Sequence, residues 1–139
     1  MRRNKFRAKR TGKYASKAEA AYAAELKIFE RAGQISNLEE QESFHIAPLG
    51  CESIIYRTDF SFRTKTGTRL ICDVKGKITD VFRLKMKLFA HAFPHIPVVL
   101  AKARYRKRVI DKFDCVLYHR KMKWKHAWEK KNVIDPVEL

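Results

Sequence analysis

The sequence predicts a single α/β domain with elements in the order α-β-β-β-α-β, and three observations carry that prediction. A capped, alanine-rich amphipathic helix begins at Ser16. Two runs rich in aromatic and β-branched residues, 54–62 and 68–75, flank a Lys65-Thr66-Gly67 turn and predict an antiparallel hairpin. A second amphipathic helix then leads into Ile96-Pro97-Val98-Val99-Leu100-Ala101, whose apolar residues run on without alternation, as in a strand buried on both faces. A chain of 139 residues with 45% apolar content suits one such domain and its core.

Taken in order, residues 1–15 form a basic flexible arm, and residues 16–139 form the domain. The arm carries Arg2, Arg3, Lys5, Arg7, Lys9, Arg10 and Lys13 with no acid, so it has no face to bury. Ser16-Lys17-Ala18-Glu19 has the form of a capping box, and Tyr22, Leu26 and Phe29 make a stripe at helical spacing. Gly33 stops this helix, which runs from about 17 to 32. Partial alternation from Asn37 to Ala47 predicts the first strand, on which Gln41 is a candidate to line a site. Gly76 ends the third strand. Thr79 or Asp80 opens the second helix, with Val81, Leu84, Lys85 and Leu88 on one side and Phe82, Met86 and Phe89 adding apolar surface; Pro94 closes it. Beyond the buried strand, the pattern predicts a helix near 104–113, a short strand at 115–118, and a Lys/Trp-rich segment around 121–131 with Trp124 and Trp128 packing on the core from a helix. His91 and His95 read as structural or surface residues.

The charge is unusual. Thirty-one Lys and Arg against fifteen Asp and Glu give a net charge of +16, and such self-repulsion points to a polyanionic partner. No apolar run approaches a spanning helix and no signal peptide is visible, so nucleic acid is preferred to a membrane and the cytoplasm is the expected location. Cys51, Cys72 and Cys115 are odd in number and widely spaced, which suits reduced thiols rather than a disulfide framework or a zinc site.

The chemistry lies in the hairpin. Hydrolysing a phosphodiester at neutral pH requires a hydroxide nucleophile and relief of phosphate charge; Mg²⁺ held by carboxylates supplies both, and a nearby Lys orients the water. In Asp73-Val74-Lys75 the carboxylate and the ammonium stand at i and i+2 and share one face of a strand. Asp59, in the loop-proximal part of the preceding strand, can share a metal with Asp73, and Val74 can add its backbone carbonyl. Taken alone, a D-x-K tripeptide is weak evidence, and a surface ion pair is its more frequent explanation.

The order of elements and motifs resembles the PD-(D/E)xK nuclease superfamily, and within it the small phage branch that includes the endonuclease I family of Holliday junction resolvases. The matching residues are Ser16-Lys17-Ala18-Glu19, Tyr56-Arg57-Thr58-Asp59-Phe60 and Asp73-Val74-Lys75-Gly76, within roughly residues 14–102. Two positions depart from the signature. Thr58 stands where Pro is usual, and Asp73 stands where Glu is commoner, one methylene longer. The resemblance implies a central mixed sheet flanked by helices and a Mg²⁺-dependent endodeoxyribonuclease, with Mn²⁺ able to substitute. It implies a catalytic set of Glu19, Asp59, Asp73 and Lys75, with Glu19 joining Asp59, Asp73 and Val74 at the metal. Glu19 has a second reading, as a helix cap only. DNA would be held by the arm and by Lys77, Arg83, Lys85, Lys87, Arg104 and Arg106; for the α-helical cations the alternative is a solvated face. Branched DNA in phage recombination or processing is the implied substrate, in the host cytoplasm if phage-encoded. Symmetric cutting of two strands would favour a homodimer. A non-catalytic nucleic-acid-binding protein, or a nuclease of this fold acting on linear or nicked DNA, would share the same composition.

Overall fold

In the computed structural model, which describes residues 14–48, 50 and 53–139, α1 (Lys17–Arg31) opens and closes on its own local signals. The Ser16 hydroxyl accepts the Glu19 N–H at 3.1 Å. At the other end Gly33 takes φ +74°, and the Gln34 and Gly33 N–H groups reach back to the Phe29 and Glu30 carbonyls at 2.9 and 3.0 Å. This pair of bonds satisfies carbonyls that the helix end leaves without partners. Tyr22, Ala23 and Leu26 are buried, as their spacing requires. Ahead of the helix, Tyr14 is tied to the sheet, its hydroxyl donating to Glu40 Oε1 at 2.8 Å. The basic arm up to Lys13, and Cys51, lie outside the described residues.

The strands are β1 (Ile35–Glu40), β2 (Ser43–His45), β3 (Ile55–Arg57), β4 (Phe60–Thr64), β5 (Arg69–Val74), β6 (Val98–Arg106), β7 (Val109–Leu117) and β8 (Val133–Ile134), with α2 (Asp80–Ala92) between β5 and β6. Six of them form one mixed sheet in the order β1-β4-β5-β6-β7-β8. Only β5 and β6 are parallel, as α2 makes the crossover between them. Both faces of the central strands are covered. Leu70 and Cys72 of β5 join the α1-side core with Phe60, Phe62 and Val99, while Ile71 joins the α2-side core with Phe82, Met86, Phe89 and Leu100. The mixed α/β expectation, with a central mixed sheet and two helices, is met.

Several sequence expectations need correction. The predicted first and second strands are each broken in two. β1 pairs with β4 and β2 with β3, so the two make a single ribbon cut by a corner. Gln41 turns the corner at φ +60°; its N–H bonds the Asp59 carbonyl at 3.1 Å, and the Thr58 N–H bonds the Glu42 carbonyl at 3.0 Å. Asp59 and Asp73 therefore lie at the end of the β4–β5 hairpin farthest from its Lys65–Gly67 turn, not beside it.

The segment 104–113 is not a helix. β6 and β7 are a long hairpin closed by Lys107 and Arg108 at φ +51° and +67°, a two-residue type I′ turn. Such a turn favours Asn-Gly, and each left-handed residue with a side chain costs on the order of 1 kcal/mol. Long-range pairing of β6 with β5 and β7 overrides the helix propensity of the Lys/Arg run. The predicted strand at 115–118 is the end of β7. Trp124 and Trp128 do pack on the α2-side core, but from a 3₁₀ turn (Trp124–His126) and the turn that follows it rather than from an α-helix. Cys72 and Cys115 are free, buried thiols, and His91 and His95 are exposed. Among the described residues no helix is long and apolar enough to cross a membrane.

In α2 the Thr79 hydroxyl accepts the Phe82 N–H at 3.1 Å, and the inward stripe is Phe82, Met86 and Phe89. Val81 and Leu84, the other side expected from the sequence, are exposed. Phe89 packs edge-on against both Phe44 and Tyr56. Phe89→Ala is therefore expected to cost about 3–5 kcal/mol in urea unfolding, and Leu84→Ala about 0.5 kcal/mol or less. Equal effects would overturn this assignment of the buried face.

Candidate active site

Asp59 sits where the ribbon breaks, and its hydrogen bonds replace a rung of the ladder. Its backbone N–H donates to Asp73 Oδ1 at 2.8 Å, and its own Oδ2 accepts the Val74 N–H at 2.9 Å. The two aspartates thus clasp β4 to the end of β5 reciprocally, each carboxylate holding backbone of the opposite strand. Thr58 is fully buried beneath them, its hydroxyl within reach of the Phe60 and Cys72 carbonyls and of Asp73 Oδ1, at 3.2, 3.1 and 3.3 Å. Its N–H and hydroxyl are both in use, and neither would exist in the proline that the resemblance places there. The Tyr56 hydroxyl donates to Asp73 Oδ2. Short Asp73 is in this way oriented by donors on both oxygens.

Lys75 stands two residues on from Asp73, on the same face as the pattern predicts. Its Nζ lies 3.8 Å from Asp73 Oδ2 and 4.1 Å from the centroid of the Phe82 ring, so the first turn of α2 holds the ammonium over the site. Glu19 arrives from α1. It is buried, and its carboxylate accepts the Ala15 N–H at 3.3 Å rather than the Ser16 N–H of a standard capping box. The other oxygen accepts from Gln41 Nε2 at 3.2 Å. The left-handed residue at the corner therefore connects the helix acid to the strand acids. Gln41 was foreseeable only as a polar residue on a strand, and the part played by Tyr56 and Thr58 carried no sequence signal beyond their adjacency to Asp59.

The electrostatics join the three acids. Burial, then the charges of Asp73 and Glu19, push the Asp59 carboxyl up to about 7 from its ordinary 3.8, against the pull of the Val74 N–H and Lys75. Burial likewise raises Glu19, with the charges of Asp73 and Glu40 adding to it. Burial and Asp73 push the Tyr56 phenol well up, which keeps it a donor. Among the described residues no three His, Cys, Asp or Glu side chains close on one ion position. The donor chemistry nevertheless fits a hard divalent cation: oxygen ligands crowded by like charge, a crowding that such an ion would relieve.

A cleft of about 500 Å³ opens over Asp73 and Lys75. Arg57 and Lys85 add positive charge to its walls, while Ile55, Val81 and Phe82 are apolar. Lys77, Arg83 and Lys87 are exposed nearby in sequence, on the β5–α2 turn and on α2, with Arg83 3.7 Å from Asp80. Lys87 contributes to a separate hollow with Arg120 and Lys121. Arg104 is not a free phosphate ligand; it is paired with Asp114 and lies 3.4 Å from the Trp128 carbonyl. Arg106 is exposed at the end of β6.

The raised Asp59 has a measurable consequence. The folded chain keeps that proton to about pH 7, while an unfolded Asp loses it near 3.8. The associated stability is therefore full below the unfolded value and is lost as pH rises through about 7. Asn can still accept the Val74 N–H without charge. Without divalent ions, Asp59→Asn should stabilise the chain at pH 8 by about 1–3 kcal/mol, and by almost nothing at pH 4. Thermal melts at the two pH values check this, and a pH-independent difference would refute the burial of a strained charge.

No curated protein and no solved structure matches the chain. A family described as "Protein of unknown function (DUF1064)" matches residues 3–108, a span that runs from the basic arm to the β6–β7 turn and takes in Glu19, Gln41, Asp59, Asp73 and Lys75. On that match over most of its length, the chain belongs to this family.

Proposed function

We propose that the chain is a metal-dependent DNA endonuclease of the PD-(D/E)xK type. The observation that carries the reading is the gathering of Glu19, Asp59, Asp73 and Lys75 from three elements at one end of the sheet, where burial and the charges of Asp73 and Glu19 push the Asp59 carboxyl up to about 7, and where Asp73 and Lys75 open onto a cleft walled by Arg57 and Lys85. A structural ion pair would need only Asp73 and Lys75. It would not gather two further acids whose mutual repulsion destabilises the folded chain.

Mg²⁺, or Mn²⁺ in its place, would be held by Asp59, Asp73, the Val74 carbonyl and Glu19, and would supply an acidified water and relief of phosphate charge. The remaining steps fall to the chain itself. Lys75 is placed to orient the attacking water and to stabilise charge developing on the phosphate. Tyr56 and Thr58 hold Asp73 in one orientation, so geometry is set by the scaffold despite the shorter side chain. Arg57, Lys77 and Lys85 bind the DNA backbone, and the net charge of +16 draws it in. A branched duplex is the proposed substrate, on the resemblance to junction-resolving nucleases.

Cleavage of four-way junction, fork, nicked and linear duplexes in Mg²⁺ tests this directly. Asp59→Asn should abolish cutting on every substrate while DNA binding persists, and Lys75→Ala should slow it by about 10²–10⁴-fold. Wild-type cleavage by Asp59→Asn would leave a binding protein with a structural acid cluster.

Glu19→Gln separates its two readings. Gln retains an oxygen for the Ala15 N–H, so the helix cap survives, and with one buried charge fewer the melting temperature should stay level or rise. Loss of the charge should lower cleavage steeply at low Mg²⁺, with partial recovery at high Mg²⁺ or in Mn²⁺. Normal cleavage at low Mg²⁺ would confine Glu19 to capping.

A further inference from the structure

The tip of the β6–β7 hairpin is not accounted for by folding. Tyr105 and Val109 are 63% and 67% exposed, and Arg106, Lys107 and Arg108 between them are also exposed. Among the described residues none of these three cations enters an ion pair, whereas Arg104 below them is tied to Asp114. The nearest acid along the chain, Asp111, lies beyond the tip on β7. The turn itself holds Lys107 and Arg108 at φ +51° and +67°, where Asn-Gly would be relaxed. Local stability therefore argues against the two residues that occupy it, and the charge they bring is the feature that a partner could use.

The position of the tip is as informative as its composition. β5 ends at Val74 opposite Ala101, and the Lys75 N–H still bonds the Ala101 carbonyl at 2.8 Å. β6 runs parallel to β5 and continues past that level to Arg106. Five more residues at roughly 3.3 Å each carry it about 17 Å beyond the catalytic end of β5, in the direction that β5 itself points. β7 returns alongside, so a two-stranded ribbon overhangs the end of the sheet where Asp73 and Lys75 lie.

We propose that this hairpin tip, Tyr105 to Val109, is a second DNA contact, gripping the duplex beside the catalytic cleft. The partner is nucleic acid rather than an acidic protein because the tip combines three cations for phosphates with an exposed ring and an apolar side chain able to lie against bases or a groove wall. At about 3.4 Å per base step, a reach of about 17 Å places the contact roughly five steps from the phosphate in the cleft. Only that spacing rests on the nuclease reading; the contact itself does not.

The test uses the full chain and labelled four-way junction and linear duplex, with affinity measured between 50 and 200 mM salt in the absence of divalent ions. Replacing Lys107→Asn together with Arg108→Gly suits the type I′ turn, so melting should stay level or rise while binding weakens. The expected loss is about tenfold at 0.1 M salt, with the slope of log K against log salt reduced by about 1.8, for two phosphates at about 0.9 each. Tyr105→Ala should weaken binding several-fold without changing that slope. A double variant that melts as expected and binds with unchanged affinity and slope overturns the contact. The parent chain's cleavage assay is read separately. A chain that binds through the hairpin and never cuts would sink the nuclease reading alone, and a parent chain that binds no DNA would sink both.

Discussion

The reciprocal clasp between Asp59 and Asp73 is the interaction on which the rest of the site depends. Each aspartate spends part of its carboxylate on an N–H of the opposite strand, so the two acids are brought together by the same bonds that join β4 to the end of β5. A regular ladder could not do this, because its backbone groups would already be paired and its side chains would diverge by alternation. The ribbon corner at Gln41 and Thr58 frees the Asp59 N–H from a regular rung. Burying two carboxylates together is unfavourable, and the fold offsets it with directed donors: Tyr56, Thr58, two backbone N–H groups and the ammonium of Lys75. What remains uncompensated shows in the raised Asp59.

Around that acidic centre the chain is strongly cationic, and the two signs are complementary rather than opposed. The long-range field of a +16 chain would draw a polyanion to the surface, while the buried acids would meet only what reaches them at the end of the sheet. α2 couples the two regions. It is the crossover that makes β5 and β6 parallel, its first turn places Phe82 against Lys75, and its exposed face carries Arg83 and Lys87. The parallel pairing it creates also directs β6 past the site. A basic hairpin at that end is thus a consequence of topology, and the strained Lys107-Arg108 turn is where charge and local conformational preference disagree most openly.

Much of the fold was legible because its signals are local. Ser16, Thr79 and Gly33 each cap or stop a helix through bonds within a few residues, and the i, i+2 spacing of Asp73 and Lys75 follows from the pleat alone. The Lys65-Thr66-Gly67 turn fell where its glycine demanded, at φ +88°. The stripe on α2 was ambiguous because Val81 and Leu84 are as apolar as the residues that were buried; which face turned inward was set by the aromatic cluster of Phe44 and Tyr56, supplied by other strands.

By itself, then, the sequence determined the class of fold, the limits of α1 and α2, the excess of positive charge and the residue types of the candidate site, since each rests on composition or on periodicity along one segment. Tertiary structure alone decided that two strands continuous in the sequence pattern break at one shared corner, that 104–113 pairs as strands instead of coiling, and that Gln41 links Glu19 of α1 to the backbone of Asp59. The reason is physical. These outcomes are set by hydrogen bonds and burial between residues far apart in the chain, such as Gln41 with Asp59 and Ala101 with both Val74 and Cys115, and no local pattern encodes the partner of a backbone group.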